Sequence, residues 1–369
     1  MTDARPRAPR VAIIGTRGYP SYYGGFETAV RKLAPYLADE GWDVTVYGRR
    51  GSTRDDDPEL DPRITRVTQH AISTKSLSTL SHGLLAALHA GRRKPDAALV
   101  MNVANGYWLP ILKLRGIPTV VNVDGMEWER AKWGRMGKWV FRQGARLTVR
   151  FADALVFDAK AIEARWMELF GRSGTFIPYG GDLTPELPVE PGLVSGEYVL
   201  VVARLVPENS IPEFVEAARW LARSHPVVIV GTANGGELDA VVARLEQTTP
   251  GVRWLGQVSD DRRLAALWQH AGAYFHGHSV GGTNPALVQA MASGTAIVAR
   301  DTVFNREVLG EAAIFVDAEP VAIAEAIDGL LRDSDRRAEL KERAKARGAA
   351  EYTWQRVNAQ YEKLLRAPR

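Results

Sequence analysis

A run of glycines and small polar residues at 278–284 has the composition of a loop that binds an anion. It follows a strand-like apolar pattern at 273–276, and Pro285 then opens a helix pattern that stops at Gly294. Proline at a helix start and glycine past its end are the usual arrangement. The N–H groups at such a start lack helical partners, and the helix dipole adds about half a positive charge there. The segment therefore favours a binding site for a phosphate or a polar sugar, although a tight turn without a ligand has the same pattern.

A second glycine-rich loop, at 15–27, joins the first strand pattern to the first helix pattern. Gly24 and Gly25 would let the backbone approach a ligand closely. Open α/β sheets bind ligands at the carboxyl ends of their strands, where this loop would lie. Glu27 would fall in the first helical turn, where its charge also suits the helix dipole. The spacing is neither the dinucleotide fingerprint nor the phosphate-binding loop of nucleotide triphosphatases.

Residues 130–150 carry seven basic side chains and no acidic one. Read as a helix, one face carries Arg135, Lys138, Arg142, Arg146 and Arg150, with Trp139 among them. The opposite face carries Trp133, Met136, Val140, Leu147 and Phe151, which are predicted to pack into the core. A basic face with an exposed tryptophan suits anionic lipid headgroups or an anionic acceptor, although an ordinary solvated face has the same pattern.

A repeated alternation of strand and helix patterns would position these residues. Apolar strand patterns occur at 11–14, 44–47, 97–101, 119–123, 154–157, 198–202, 227–230, 252–255, 273–276, 297–299 and 313–316. Such alternation predicts an α/β fold, with parallel sheets covered by helices on both faces. We expect two doubly wound, Rossmann-like domains that face each other across a cleft.

Domain boundaries follow from a segment rich in proline and glycine at 177–192. We predict an N-terminal domain at 1–180, a linker at 181–195 and a C-terminal domain at 196–350. The last helix, at 351–369, is expected to cross back to the N-terminal domain.

Composition excludes several classes of protein. The 369 residues are 46% hydrophobic and 24% charged, which is typical of a soluble protein with two ordinary domains. No apolar run is long enough to span a bilayer and no signal-peptide core precedes the first strand, so a cytoplasmic location is expected. The absence of cysteine excludes disulfides and thiolate chemistry. A net charge of +4 is too mild to indicate a nucleic-acid partner.

Five motifs, in this order, resemble those of the retaining, nucleotide-sugar-dependent glycosyltransferases of family 4, which have the GT-B fold. The chain is most similar to a bacterial branch that builds surface polysaccharides and includes capsular β-1,4-rhamnosyltransferases. The motifs are Gly-Thr-Arg-Gly at 15–18 with Gly-Gly-Phe-Glu at 24–27, Asn-Val-Asp-Gly-Met-Glu-Trp at 122–128, Arg-Leu-Val-Pro-Glu-Asn at 204–209, His-Gly-His-Ser-Val-Gly-Gly-Thr-Asn-Pro at 276–285, and Phe-Asn-Arg-Glu-Val at 304–308.

The resemblance implies roles for residues of the donor site. Arg204 takes the position of an arginine that binds the donor diphosphate, a task to which a guanidinium fork is well suited. A lysine usually follows five residues later, where this chain has Asn209. The family's paired glutamates fall on Gly281 and Gln289, so neither carboxylate is present. Gln289 would still accept a ribose hydrogen bond, but more weakly, which favours a deoxyribose donor such as a dTDP-sugar. The other donor-site candidates are Gly24, Gly25, His278, Gly282, Thr283 and Asn284.

Asp124 takes a position near the reacting sugar carbon, where related enzymes often have a histidine. A carboxylate there would stabilise oxocarbenium-like charge or orient the acceptor hydroxyl, or it would only hydrogen-bond the Asp124–Gly125 turn. Arg17 and Glu27, with Arg135, Lys138, Trp139 and Arg142, are assigned to the acceptor or membrane side.

No metal site or cofactor is predicted. The triplet Asp55, Asp56 and Asp57 mimics a metal motif of another glycosyltransferase fold but lies in a charged loop without a neighbouring histidine. In the GT-B arrangement, basic side chains and helix N-termini stabilise the leaving diphosphate in place of a metal.

The predicted function is transfer of a sugar, with retention, to a glycan or lipid-linked glycan acceptor in surface polysaccharide synthesis. The donor is expected to be a nucleotide diphosphate sugar, with dTDP-rhamnose favoured over a UDP-sugar. Peripheral contact with an anionic membrane at the inner face of the cell membrane is part of this prediction. Two alternatives stay open: a non-catalytic nucleotide-sugar-binding protein, and a nucleotide-sugar epimerase or hydrolase on the same scaffold.

Overall fold

The computed structural model describes residues 7–22, 24–53, 55–70, 77–123, 125–130 and 133–367. The chain divides into two compact units. Unit 1 comprises Met1–Pro178 with Trp354–Arg369, and unit 2 comprises Tyr179–Thr353. The C-terminal helix therefore groups with unit 1. Residues 181–195, which were predicted to be a linker, lie within unit 2, where the Gly181 N–H donates to the carbonyl oxygen of Tyr352 at 2.7 Å.

In unit 1, the described residues form a seven-stranded parallel sheet of order β3-β2-β1-β4-β5-β6-β7. The strands are β1 (Arg10–Ile14), β2 (Asp43–Arg49), β3 (Thr65–Gln69), β4 (Ala97–Met101), β5 (Thr119–Asn122), β6 (Ala154–Phe157) and β7 (Thr175–Phe176). The helices are α1 (Gly25–Asp39), α2 (Leu77–Arg93), α3 (Leu109–Leu114), α4 (Arg135–Phe151) and α5 (Lys160–Phe170), with short 3-10 helices at Val103–Trp108 and Glu127–Glu129.

In unit 2, a six-stranded parallel sheet has the order β10-β9-β8-β11-β12-β13. Its strands are β8 (Val199–Val202), β9 (Val227–Val230), β10 (Val252–Trp254), β11 (Ala273–His276), β12 (Ile297–Arg300) and β13 (Ile314–Val316). The helices are α6 (Ile211–Leu221), α7 (Glu237–Thr248), α8 (Asp261–His270), α9 (Pro285–Ala292), α10 (Val303–Leu309), α11 (Pro320–Arg332) and α12 (Ser334–Glu351), with a 3-10 helix at Pro207–Asn209; α13 (Trp354–Arg366) returns to unit 1.

The central strands are apolar because helices cover both of their faces. Every residue of β4 and β9 is buried, as expected of strands inside a doubly wound parallel sheet. The predicted fold class, two α/β Rossmann-like domains, is confirmed. The sequence patterns missed β3 and β7, which are the edge strands of the first sheet and contain few apolar residues.

The C-terminal helix is held in unit 1 by buried hydrogen bonds as well as by apolar packing. The Asn122 side-chain amide donates to the Tyr361 hydroxyl at 2.7 Å, and the Asn358 amide donates to the Lys32 carbonyl at 3.1 Å. Asn122 is the last residue of β5 and begins the motif at 122–128. Helix α13 therefore fixes the strand end from which that motif continues.

Helix α4 packs by a face that matches the predicted one only in part. Its buried residues are Gly144, Ala145 and Thr148, whereas Met136 is 73% exposed. The backbone of the 3-10 helix Val103–Trp108 approaches so closely that a Cβ added at Gly106 would lie 2.1 Å from the Gly144 carbonyl oxygen. Only small residues fit this contact, so they form the centre of the inward face, while Val140, Leu147 and Phe151 are partly buried beside it. No helix in the described part of the chain is long and apolar enough to cross a membrane.

Candidate functional site

Unit 2 brings three loops together at the carboxyl ends of neighbouring strands. The loops follow β8, β11 and β12, which are adjacent in the sheet. The strand order reverses between β8 and β11, and such switch points are where open α/β sheets bind ligands. The sequence-predicted donor residues of unit 2 from Arg204 to Asn284 lie in the first two of these loops.

Arg204 lies two residues beyond β8 and is exposed. Its main-chain carbonyl accepts hydrogen bonds from the Val206 N–H at 2.8 Å and from the Asn209 side-chain amide at 2.9 Å. Its guanidinium forms no ion pair with any described residue. The loop thus fixes the backbone of Arg204 and leaves the charged group able to bind an anion.

Asn209 supports this loop from inside the protein. Its side chain is committed to the Arg204 carbonyl, and the residue is only 3% exposed. These contacts give Asn209 a positioning role, and its direct contact with a donor stays a prediction.

The loops after β8 and β11 are bonded to each other. The Ser210 hydroxyl donates to the Gly277 carbonyl at 2.7 Å, and the Ser279 N–H and hydroxyl donate to the Glu208 carbonyl at 2.9 and 2.8 Å. Only glycine fits at position 277, because a Cβ there would lie 2.4 Å from the Asn209 carbonyl oxygen. These contacts hold the start of the glycine-rich loop against the Arg204 loop.

The segment after β12 joins the same network through Asn305, which lies in the first turn of α10 and belongs to the motif at 304–308. Its side-chain amide donates to the carbonyl oxygens of His278 at 3.0 Å and Arg300 at 2.8 Å. Asn305 is 4% exposed. It therefore fixes the spacing between two strand ends from inside the protein.

The two histidines at the end of β11 stack at 4.3 Å between ring centroids. His276 is fully buried and its Nδ1 lies 3.0 Å from the Tyr274 hydroxyl. Burial, together with the nearby charge of His278, lowers the pKa of His276 well below its ordinary value, so its ring is neutral at physiological pH. His278 is only partly buried and lies at the mouth of the glycine-rich loop.

The glycine-rich loop itself leads into α9 as predicted. Gly281 has a φ of +104°, which favours glycine, and Gly282 is partly exposed. Thr283 is 3% exposed, and the Asn284 side chain caps α9 by accepting a hydrogen bond from the Ala286 N–H at 2.9 Å. The main chain at Gly281 and Gly282 is therefore the part of the loop most available to a ligand.

Gln289 is engaged within the protein. Its amide oxygen accepts from the Asp182 N–H at 2.9 Å, and its Nε2 donates to the Asp182 carbonyl at 3.0 Å. Both ends of the amide therefore hold the segment that begins unit 2. This amide therefore has a structural function, and its ribose contact stays a prediction.

In unit 1, the candidate residues lie in the loop between β1 and α1. Gly24 precedes α1 with an extended φ of −171°, and Gly25 is the first residue of that helix. Glu27 is 7% exposed, and its carboxylate accepts a hydrogen bond from the Arg17 N–H at 3.1 Å. Glu27 thus lies in the first turn of α1, where its charge suits the helix dipole, and its hydrogen bond also ties α1 to the preceding loop. Asp124 lies outside the described residues.

The basic helix α4 exposes an unusual mixture of side chains. Trp139 is 58% exposed, and Arg135 and Arg142 are exposed beside it in the helical pattern, with Lys138 partly exposed. Met136 adds a second large apolar side chain to this surface. Among the described residues, no group of three or more histidine, aspartate or glutamate side chains is arranged to hold a metal ion.

Two families match successive parts of the chain. The family described as Glycosyl transferase 4-like domain matches residues 24–180, and Glycosyl transferases group 1 matches residues 188–347. These segments correspond to the Rossmann-like parts of unit 1 and unit 2.

Curated relatives are similar over part of their length. Phosphatidyl-myo-inositol mannosyltransferase of Mycolicibacterium smegmatis is 32% identical over 206 residues, which are 53% of this chain and 53% of that protein. The match therefore spans about half the length of this relative. Alpha-maltose-1-phosphate synthase of the same organism is 22% identical over 69% of this chain and 74% of its own length.

Solved structures share the fold over almost the whole chain. Sucrose-phosphate synthase from Thermosynechococcus elongatus has a TM-score of 0.81 at 19% identity, covering 97% of this chain and 98% of that one. Anabaena HepE in complex with UDP and glucose has a TM-score of 0.78 at 17% identity, and the match covers 98% of this chain and 100% of that one. The chain is thus similar in successive segments to a glycosyl transferase 4-like domain and to a glycosyl transferases group 1 domain, and it shares the two-domain fold of these solved structures.

Proposed function

We propose that this protein transfers a sugar from a nucleotide diphosphate donor to a hydroxyl group of a glycan. The observation that carries the proposal is Arg204, an exposed guanidinium without an ion-pair partner among the described residues, at the switch point of the unit 2 sheet. A diphosphate presents several anionic oxygens to such a fork. The loop contacts around Arg204 fix it before the donor arrives, which limits the entropy lost on binding.

The proposed reaction exchanges one bond at the anomeric carbon for another with retention of configuration. The bond from that carbon to the diphosphate oxygen breaks, and the acceptor oxygen bonds to the same face of the sugar. The acceptor proton passes to the departing diphosphate oxygen. Arg204 and the main-chain N–H groups of the 281–284 loop would stabilise the charge that develops on the diphosphate, without a metal ion. Asp124 is proposed, from its sequence position, to stabilise the positive charge on the sugar.

For the donor we propose dTDP-rhamnose, with a UDP-sugar as the second candidate. The resemblance to capsular rhamnosyltransferases supports the first. Gln289 also supports dTDP-rhamnose. Position 289 carries no carboxylate, and its amide is hydrogen-bonded to the Asp182 main chain, so a ribose 2′-hydroxyl would find no carboxylate acceptor there. The likeness in fold to Anabaena HepE, whose structure in complex with UDP-glucose is solved, supports the second.

For the acceptor we propose a lipid-linked glycan at the inner face of an anionic membrane. The exposed Trp139 and Met136, with Arg135 and Arg142 beside them, combine apolar side chains with positive charge on one helix. Such a surface binds anionic lipid interfaces through both interactions.

The test is to measure thermal stabilisation by dTDP-rhamnose, UDP-glucose and GDP-mannose, and then turnover of the stabilising donor with a membrane lipid extract. We expect one donor to stabilise the protein and to be consumed only when the extract is present. NMR of the product should show the anomeric configuration of the donor. Failure of all three donors to bind contradicts the proposal. Consumption without acceptor would instead indicate an epimerase or hydrolase, and binding without turnover would indicate a sensor.

A further inference from the structure

Arg300 is a second cation at the same end of the unit 2 sheet. It is the last residue of β12, and its side chain is partly buried. Its Nη1 donates to the Ser210 hydroxyl at 3.0 Å. Ser210 belongs to the loop that begins with Arg204, so a guanidinium from β12 reaches the loop that follows β8.

The surroundings of Arg300 do not neutralise its charge. Its guanidinium forms no ion pair with any described residue. The adjacent Asp301 is committed to Arg306, with Nε–Oδ1 and Nη2–Oδ2 distances of 2.5 and 2.6 Å. A guanidinium has five N–H donors, and the Ser210 hydroxyl is the one partner found for them in the described part of the chain. The remaining donors are thus open to an anionic ligand.

The position of Arg300 is fixed from two sides. Ser210 donates its own proton to the Gly277 carbonyl at 2.7 Å, which leaves its oxygen lone pairs for Arg300. The main chain of Arg300 is held by Asn305, whose amide donates to its carbonyl at 2.8 Å. Both ends of the residue are therefore tied to the network that also orders the glycine-rich loop.

We propose that Arg300 is a second diphosphate-binding residue of the donor site and that Ser210 positions it. This inference rests on the proposed function, because it assumes that the donor diphosphate occupies the ends of β8 and β11. Between Arg204 and Ser210 the chain contains one acidic residue, Glu208, and no further cation. Arg300 supplies the additional positive charge that a diphosphate requires.

Binding of UDP, dTDP and GDP to the full-length protein, measured by calorimetry at several salt concentrations, tests the proposal. Arg300→Gln keeps a donor for Ser210 but removes the charge, whereas Arg300→Lys keeps the charge. For the nucleotide that binds best, we expect Arg300→Gln to weaken binding about 10- to 100-fold, the size of one or two charge-assisted hydrogen bonds. The slope of log Kd against log salt should become shallower in Arg300→Gln and stay near wild type in Arg300→Lys. Ser210→Ala should weaken binding less than Arg300→Gln.

The control is Arg223→Ala, which removes an exposed arginine from the loop between α6 and the start of β9, at the opposite end of the strands from Arg300. Unchanged affinity and salt slope in a folded Arg300→Gln protein would overturn the role of Arg300. If wild type itself binds none of the three nucleotides, the proposed function fails instead, so the two failures are distinct. If Arg300→Gln does not fold, Arg300→Lys is the deciding variant. A nucleotide affinity of Arg300→Lys as low as that of Arg204→Ala, or lower, would contradict a role of Arg300 that depends on its charge.

Discussion

The Asn209 side-chain amide donates to the main-chain carbonyl of Arg204 at 2.9 Å, and this bond links a buried residue to an exposed cation. The position where family resemblance implies a lysine is thus used to shape the loop. On the proposed function, the phosphate-binding charge comes from Arg204 and from outside the loop. The proposed donor site consists of main-chain carbonyls that accept hydrogen bonds from buried side chains, with the cations exposed or partly buried beside them.

The first prediction concerns that bond. Asn209→Ala should destabilise unit 2 by about 1–3 kcal/mol, because a buried hydrogen bond is lost and the Arg204 carbonyl is left without this donor. It should also weaken nucleotide binding several-fold, because the main chain of Arg204 is no longer held by this donor. Thermal unfolding and calorimetry with UDP and dTDP measure the two effects. A variant that matches wild type in both would show that the bond does not position Arg204.

The second prediction concerns the contact between the loops. Gly277→Ala would place a Cβ 2.4 Å from the Asn209 carbonyl oxygen, so the two loops must separate. We expect a loss of about 1–3 kcal/mol of unfolding free energy and weaker nucleotide binding. Gly329→Ala is the matched control, because a Cβ in that helix meets nothing within 4 Å and should be neutral or stabilising. Equal stability of the two variants would contradict the close approach described for Gly277.

The third prediction uses Gln289 to separate a structural role from ribose recognition. Gln289→Glu restores the carboxylate expected in the family but places it against the Asp182 carbonyl, which now accepts from Nε2 at 3.0 Å. We expect a lower melting temperature and no gain in affinity for UDP relative to dTDP. Calorimetry with both nucleotides makes the comparison. A selective gain for UDP would show that this side chain reads the 2′-hydroxyl after all.

The fourth prediction concerns the surface of α4. Trp139→Ala and Arg142→Glu should each reduce co-sedimentation with vesicles that contain anionic phosphatidylglycerol, because one removes apolar contact and the other removes charge attraction. Trp220→Ala is the control, since Trp220 is an exposed tryptophan of unit 2 at 43% exposure. Wild-type protein that fails to sediment with anionic vesicles at low salt would remove this surface from the proposal.

The sequence predicted the parts of the fold that depend on short-range patterns. Strands such as β4 and β9 can be recognised from the sequence as continuous apolar runs, because both of their faces are buried. Strand β3, Thr-Arg-Val-Thr-Gln, lies at a sheet edge, where polar residues are tolerated and the alternation is weak. The inward face of α4 was predicted only in part, because its centre is set by a backbone approach between Gly106 and Gly144, which hydrophobicity alone does not indicate.

The candidate site was predictable as a set of loops but not as a network. Arg204 and the glycine-rich segment were identified because strand ends and helix starts carry recognisable signals. The pairing of Gln289 with Asp182 joins positions 107 residues apart and leaves no local pattern. Arg300 does carry a readable signal, since it is a charged residue directly after the core run Ile-Val-Ala at the end of a strand.

The central claim is that unit 2 binds a nucleotide diphosphate through Arg204 at the carboxyl ends of β8 and β11. The most direct measurement is the affinity of Arg204→Ala for UDP and dTDP, beside wild type and the Arg223→Ala control. We predict that wild type and Arg223→Ala bind one of these nucleotides equally well, and that Arg204→Ala loses about 10- to 100-fold or more in affinity while its melting temperature without ligand stays near wild type. Equal nucleotide affinity in Arg204→Ala and wild type would contradict the claim.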